Sequence, residues 1–217
     1  MAMPFRVSHA ADLNSVMPGT RVRFDLRVGK SSTRVTRLRI DSGPPPDFKI
    51  PKPEHAVALG EEVPDFNLID EQGHLIRLSD FRGRLAALDF IYTRCPLPDV
   101  CPRLSANFAL LQKKFGRDLV LLSITIDPDH DTPEVLHDYA QRWRADPSIW
   151  HFLTGEPGQV RSVAGYFGLV YFAEEGAITH TSKTALIGAD RHLIALLEGS
   201  SYTAGQLLDL VEAKLSR

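Results

Sequence analysis

Cysteine is nearly absent from this chain: of 217 residues, only Cys95 and Cys101 carry a thiol. Two thiols cannot build a four-cysteine zinc site or a multi-disulfide scaffold, so any thiol chemistry is confined to one place. Neither charge sign dominates. Lys and Arg number 25 against 27 Asp and Glu, a net charge of -2, and no basic run occurs, which argues against a nucleic-acid partner. No apolar stretch approaches the roughly 20 residues of a membrane-spanning helix. No positively charged segment followed by an apolar one opens the chain as a signal peptide would. What is present is ordinary for a globular protein: 43% hydrophobic and 24% charged residues exclude wholesale disorder. The length fits one large domain, or a medium domain with a small appendage.

Three regions separate by pattern. Residues 1–41 are rich in valine and arginine, and VRFDLRV (22–28) and VTRLRI (35–40) alternate apolar with polar side chains. That is the period of half-buried strands, and Gly29-Lys30-Ser31-Ser32 suits a hairpin turn. Two or three strands make a marginal core, so this small β segment is expected to lean on something else or to be incomplete. Residues 42–60 hold Pro44, Pro45, Pro46, Pro51 and Pro53 and read as a semi-extended linker. Residues 61–217 alternate strands and helices. LAALDFIY (85–92) and LVLLSITI (119–126) are continuous apolar runs, the mark of strands covered on both faces. Short strands are expected at 66–69, 75–78, 183–187 and 193–197. Helices are expected at 102–115, stopped by Gly116; at 133–143, opened by Pro133; at 157–167; and after Thr203, as its cap. This order predicts an α/β sandwich around a mixed sheet, with ligands beyond the carboxyl ends of its strands.

Cys95 and Cys101 fall where the first buried strand leaves for the first long helix. Unpaired N–H groups at a helix start favour an anion, so at least one thiol is expected to have a lowered pKa. Two prolines in the five-residue gap pre-set a bend that could bring the sulfurs together. The plainer alternative is an inert buried pair or a structural disulfide. Of eight histidines, His180 stands out, in AITHTS just ahead of a late strand. In a thioredoxin-like order, the loop before that strand folds back beside the thiol loop, which makes His180 a candidate third ligand, with a solvated loop histidine as the alternative. Two thiolates and an imidazole suit copper: sulfur favours Cu(I), and nitrogen helps hold Cu(II). Zinc could take the same groups plus water, but no glutamate at a telling spacing supports zinc hydrolysis. In SITIDPDHDTP (123–133), Asp127 and Asp131 read first as caps of the turn and helix. The alternative sets Asp127 behind the metal ligands as an acceptor. His130 reads as solvated.

FIYTRCPLPDVCPRLSANFALLQ, LLSITIDPDHDTPEVLHDYA and the downstream ITHT resemble the Sco/SenC family of copper chaperones, from about Val63 to the C-terminus. The resemblance implies a thioredoxin-like fold, usually tethered to a membrane and facing an oxidising compartment. It implies copper held by two cysteines and a histidine for assembly of the binuclear copper centre of cytochrome c oxidase. Residue by residue it carries over Cys95, Cys101 and His180 as ligands, and Asp127 as an acidic position near the site. The family usually has three residues between its cysteines, whereas this chain has five. ALIGADRH also replaces a charged Asp-Pro-Asp-Gly turn found in many members. The N-terminal segment resembles, more weakly, the last part of a CusF-like copper-binding barrel. Met3 of Met1-Ala2-Met3-Pro4-Phe5 then matches a Cu(I) or Ag(I) ligand, although the rest of the barrel is absent. The true start, with a signal or lipid anchor, is expected upstream, unless Met1 is the initiator.

The leading expectation is a periplasmic or otherwise extracytoplasmic, membrane-tethered, monomeric metallochaperone. It passes copper to the copper-containing subunit of cytochrome c oxidase or to another copper chaperone. The alternative is a thiol–disulfide oxidoreductase using Cys95 and Cys101 as its redox-active dithiol on the same kind of target. A peroxidase would need an arginine beside a reactive thiolate, for which Arg94 is the one candidate. A non-catalytic adaptor is the remaining class.

Overall fold

The computed structural model describes residues 6–9, 13, 14, 16, 20–30, 32–43, 56–174 and 177–215. Met3 and most of the proline-rich stretch lie outside the described residues. A first small sheet contains β1 (Arg6–Val7), β2 (Arg21–Val28) and β3 (Thr33–Ser42) in the order β1-β3-β2. β2 and β3 form the expected antiparallel hairpin, closed by Gly29 N–H on the Ser32 carbonyl at 2.8 Å. β4 (Asn67–Ile69) and β5 (Leu75–Arg77) form a second, short hairpin.

The main body follows as β6 (Leu85–Ile91), α1 (Cys101–Phe115), β7 (Leu119–Thr125), α2 (Pro133–Trp143), β8 (Trp150–Leu153) and α3 (Pro157–Tyr166). Then come β9 (Tyr171–Glu174), β10 (Ala177–His180), β11 (Lys183–Ile187), β12 (Leu193–Glu198) and α4 (Ala204–Leu215). The five-stranded sheet has the order β12-β11-β6-β7-β8. β6, β7 and β8 are parallel, and β11 is antiparallel to both β6 and β12. This is the mixed sheet flanked by helices of a thioredoxin-like sandwich.

Every residue of β6 and β7 is buried, as their unbroken apolar runs require once helices cover both faces. α1 lies on β6 and β7 beside α2 and α4, and buries Leu104, Phe108 and Leu111. It stops at Gly116, whose φ of 52° suits glycine. Successive residues of β6 point to opposite faces. Phe90 meets Phe167, just beyond α3, at 5.8 Å, while Phe108 of α1 packs on Trp150 of β8 at 5.9 Å.

Two strand groups were not foreseen in the sequence. β8 and the β9–β10 hairpin are built from strands of four residues, too short to show a period. The helix expected from residue 102 begins one residue earlier, at Cys101 itself. Among the described residues no helix is long and apolar enough to cross a membrane. Parallel pairing in the register Ile91↔Thr125 brings the ends of β6 and β7 to one edge, so the loops after them emerge side by side.

Candidate metal and thiol site

The loop after β6 carries Cys95, half-buried, and delivers Cys101, fully buried, as the first residue of α1. His180 is also fully buried. It is the last residue of β10 rather than a loop residue, because the β9–β10 hairpin carries it inward. The base of that hairpin is closed by Thr181 N–H on the Val170 carbonyl at 2.9 Å and by Val170 N–H on Thr181 Oγ1 at 3.1 Å. The imidazole meets the Tyr92 ring edge-on at 5.6 Å and stands beside the Cys95 sulfur. The structure thus brings together Cys95, Cys101 and His180.

The imidazole tautomer follows from its partner. Nδ1 lies 2.9 Å from the Thr181 carbonyl, which can only accept, so Nδ1 carries the hydrogen. Nε2 then holds the lone pair, and it is buried without a regular hydrogen bond. A backbone carbonyl on one nitrogen and an unclaimed lone pair on the other is the arrangement of a metal-ligating histidine.

The two thiols are driven apart electrostatically. The Cys101 thiol beside it holds Cys95 well below the ordinary thiol range, against the opposing cost of burial. His180 and the backbone N–H groups of Leu97 and Cys101 add to this stabilisation. Burial pushes Cys101 the other way, well above the ordinary range, and the neighbouring Cys95 reinforces it. A lowered thiol was expected from the start of α1. The thiol at that position is Cys101, however, and there desolvation outweighs the helix terminus. The lowered one is Cys95, in the loop before it.

The neighbouring loop, after β7, holds the thiol loop in place. Asp131 Oδ1 accepts from Thr93 Oγ1 at 2.5 Å and faces His130 Nδ1 at 3.0 Å. Its Oδ2 accepts from Thr93 N at 3.0 Å and Thr125 Oγ1 at 2.6 Å. Asp127 pairs with Arg94 Nε at 2.6 Å, one residue before Cys95. The first reading of these aspartates, as caps, is therefore corrected. Thr132 caps α2, its hydroxyl accepting from Val135 N–H, while both carboxylates tie down the residues that lead to Cys95. His130 is exposed, as expected. Arg94 is committed to Asp127.

One residue escaped the sequence reading. Asp89 lies in the middle of β6, the single acid in an otherwise apolar run, and that interruption was the available signal. Both its oxygens are buried without a regular hydrogen bond. Burial raises its carboxyl from the usual 3.8 to about 7, only partly offset by the Ser123 hydroxyl. It faces Cys101, Tyr139 and Tyr202, all of which its charge would disturb.

A thioredoxin-like sandwich with two thiols and a histidine gathered beyond its central strand defines a class of metal-binding or thiol-exchanging proteins. Within that class the chain belongs to the SCO1/SenC family, whose match covers residues 56–216. The SCO2-like protein of Rickettsia typhi is 33% identical over 141 residues, 60% of this chain and 66% of that protein, so the chain spans just under two thirds of it. The SCO1 protein homolog of Bacillus subtilis is 28% identical over 152 residues, 67% of this chain and 78% of the homolog. Among solved structures, Arabidopsis thaliana ScoI with copper bound superposes with a TM-score of 0.61 at 26% identity, covering 73% of this chain and 99% of that one. BsSco, described with a disulfide switch and as a member of the Sco family of cytochrome c oxidase assembly proteins, gives 0.63 at 26% identity, covering 74% and 97%.

Two outcomes follow from these electrostatics. At pH 6, iodoacetamide will modify Cys95 and spare Cys101, and Cys101→Ser will move the midpoint of Cys95 labelling to higher pH. Equal labelling of both thiols with a midpoint near the ordinary ~8.5 contradicts the assignment. For Asp89, a native carboxyl raised above its unfolded value means that stability is fully present below about pH 4 and falls as pH rises to about 7. Asp89→Asn will remove that slope and be more stable above pH 7 by an amount on the order of 4 kcal/mol, read by chemical denaturation across pH. A variant profile parallel to the parent's would refute this.

Proposed function

We propose that Cys95, Cys101 and His180 bind copper as cargo and pass it by ligand exchange during assembly of a copper centre of cytochrome c oxidase. The observation that carries this reading is the buried Nε2 of His180, without a regular hydrogen bond, beside the Cys95 sulfur, which itself meets Cys101. The donors fit the ion. Two sulfurs and one imidazole satisfy Cu(I), and the imidazole makes Cu(II) tolerable. Cys95 supplies a thiolate near neutral pH, whereas Cys101 gives up its proton as the metal arrives. Arg94, held by Asp127, supports the loop immediately before Cys95. In this reading Asp127 acts from behind the ligands, through Arg94. The receiving partner is the copper-containing oxidase subunit or another copper chaperone.

A SCO1/SenC family lipoprotein of Bacillus anthracis superposes with a TM-score of 0.64 at 25% identity. On that basis we place this chain outside the cytoplasm and tethered to a membrane. Its parts are a β segment at 1–41, a linker at 42–60 and the thioredoxin-like domain at 61–217.

The contrast between the thiols also favours a second reading, thiol–disulfide exchange. The Cys95 thiolate attacks a partner disulfide and releases one partner thiolate, forming a mixed disulfide. Cys101, once deprotonated, attacks Cys95 Sγ and releases the second. The two electrons pass from the dithiol to the partner, and Cys95–Cys101 is left oxidised.

Titration of the reduced protein with Cu(I) in competition with a chelator tests the first reading. His180→Ala is expected to weaken binding by about 100-fold, since loss of a ligand costs at least as much as loss of its hydrogen-bonded support. An unchanged affinity removes His180 from the site. Weak copper binding by the parent together with rapid exchange with glutathione disulfide would transfer the assignment to the second reading.

A further inference from the structure

One of the five residues between the two thiols, Asp99, is held by a part of the chain outside the family match. Asp99, two residues before Cys101, is 8% exposed. Its Oδ2 accepts the Thr33 N–H at 2.9 Å, and the Thr33 hydroxyl lies 2.7 Å from Oδ1 and 2.8 Å from Oδ2. Thr33 opens β3, 66 residues earlier in the chain, and is 1% exposed. Val35, the next inward-facing residue of β3, is buried as well, while Arg34 between them is exposed. From the other side, Ser200 Oγ donates to the Asp99 carbonyl at 2.8 Å. Much of the hairpin has no such support: Leu26, Val28 and Ile40 stand open to solvent. The most deeply buried described part of this small sheet is therefore where it meets the thiol loop.

The physical consequence is a one-point coupling. A buried carboxylate deprived of a donor carries its full desolvation cost, whereas one that accepts a backbone N–H and a hydroxyl is strongly held. With Thr33 in place, Asp99 stays inside and fixes the chain two residues before Cys101. Without it, the favourable move for Asp99 is out to water, and the loop moves with it.

We propose that the N-terminal hairpin is a positioning clamp for the thiol loop, with Thr33 and Asp99 as its positioning residues. The clamp keeps the Cys101 sulfur close to Cys95, raising its effective concentration there. It makes closure of the Cys95–Cys101 disulfide easier and prepares both sulfurs for one ion. The affinity arm of the test rests on the copper reading above, and the redox arm does not.

The experiment uses the full chain and the variants Thr33→Val, which keeps the shape and loses the hydroxyl, and Thr33→Ser, which keeps both donors. The dithiol is equilibrated with glutathione, two thiols and one glutathione disulfide giving one protein disulfide and two glutathiones. Thr33→Val is expected to lower that equilibrium constant about tenfold, a rise of about 30 mV in potential. It is also expected to weaken Cu(I) binding by a similar factor, with Thr33→Ser restoring both. Parent values in Thr33→Val overturn the clamp. So does a failure of Thr33→Ser to restore them, which would assign the effect to the lost methyl group. If Thr33→Val does not fold, the near-isosteric Asp99→Asn carries the same test. Insensitivity of copper binding to His180→Ala with a shifted potential in Thr33→Val would defeat the copper reading and leave the clamp standing. The reverse pattern would do the opposite.

Discussion

Everything at this site depends on how one imidazole is held. The Thr181 carbonyl takes the hydrogen of His180 Nδ1, and Nε2 is thereby left buried beside the Cys95 sulfur without a regular hydrogen bond. A buried polar atom without a partner is costly, and a fold retains one where something else completes it. The β9–β10 hairpin carries this residue inward. The Cys95 thiolate answers to the same constraint, because an anion inside a protein needs donors or cations around it.

The support for the thiol loop is distributed over three segments that are remote in sequence. Asp131 satisfies Thr93 and Thr125, Asp127 holds Arg94, and Asp99 is held by Thr33 and Ser200. Each contact is a carboxylate or carbonyl accepting from the chain, and each restrains a different part of the loop. A loop pinned in this way costs little further entropy when it engages an ion or a partner thiol. Asp89 acts differently. It places a buried protonatable group whose charge would raise the Cys101 thiol further.

Much of the architecture was legible in the chain because its signals are local. The runs LAALDFI and LVLLSIT marked the buried parallel strands, and Pro133 and Gly116 marked a helix start and a helix stop. Cys95, Cys101 and His180 stood out as a possible ligand set because scarce or chemically distinctive residues sat at strand and loop junctions. β8 and the β9–β10 hairpin were not legible, since four residues show no period and their pairing partners are distant. The direction in which each thiol shifts was also out of reach, because burial is a property of the packed molecule.

The amino-acid sequence by itself determined the alternation of strands and helices, the confinement of thiol chemistry to one loop, and the small set of residues able to bind a soft metal. These follow from hydrophobic period, residue count and side-chain chemistry, which need no knowledge of neighbours. Only the tertiary structure decided that His180 ends a strand, that its Nε2 is buried without a regular hydrogen bond, that Cys95 rather than Cys101 is the thiol shifted downward, and that Asp99 is held by Thr33. Those outcomes rest on which atoms lie within about 3 Å of one another across tens of residues of chain, and on how much water their packing excludes.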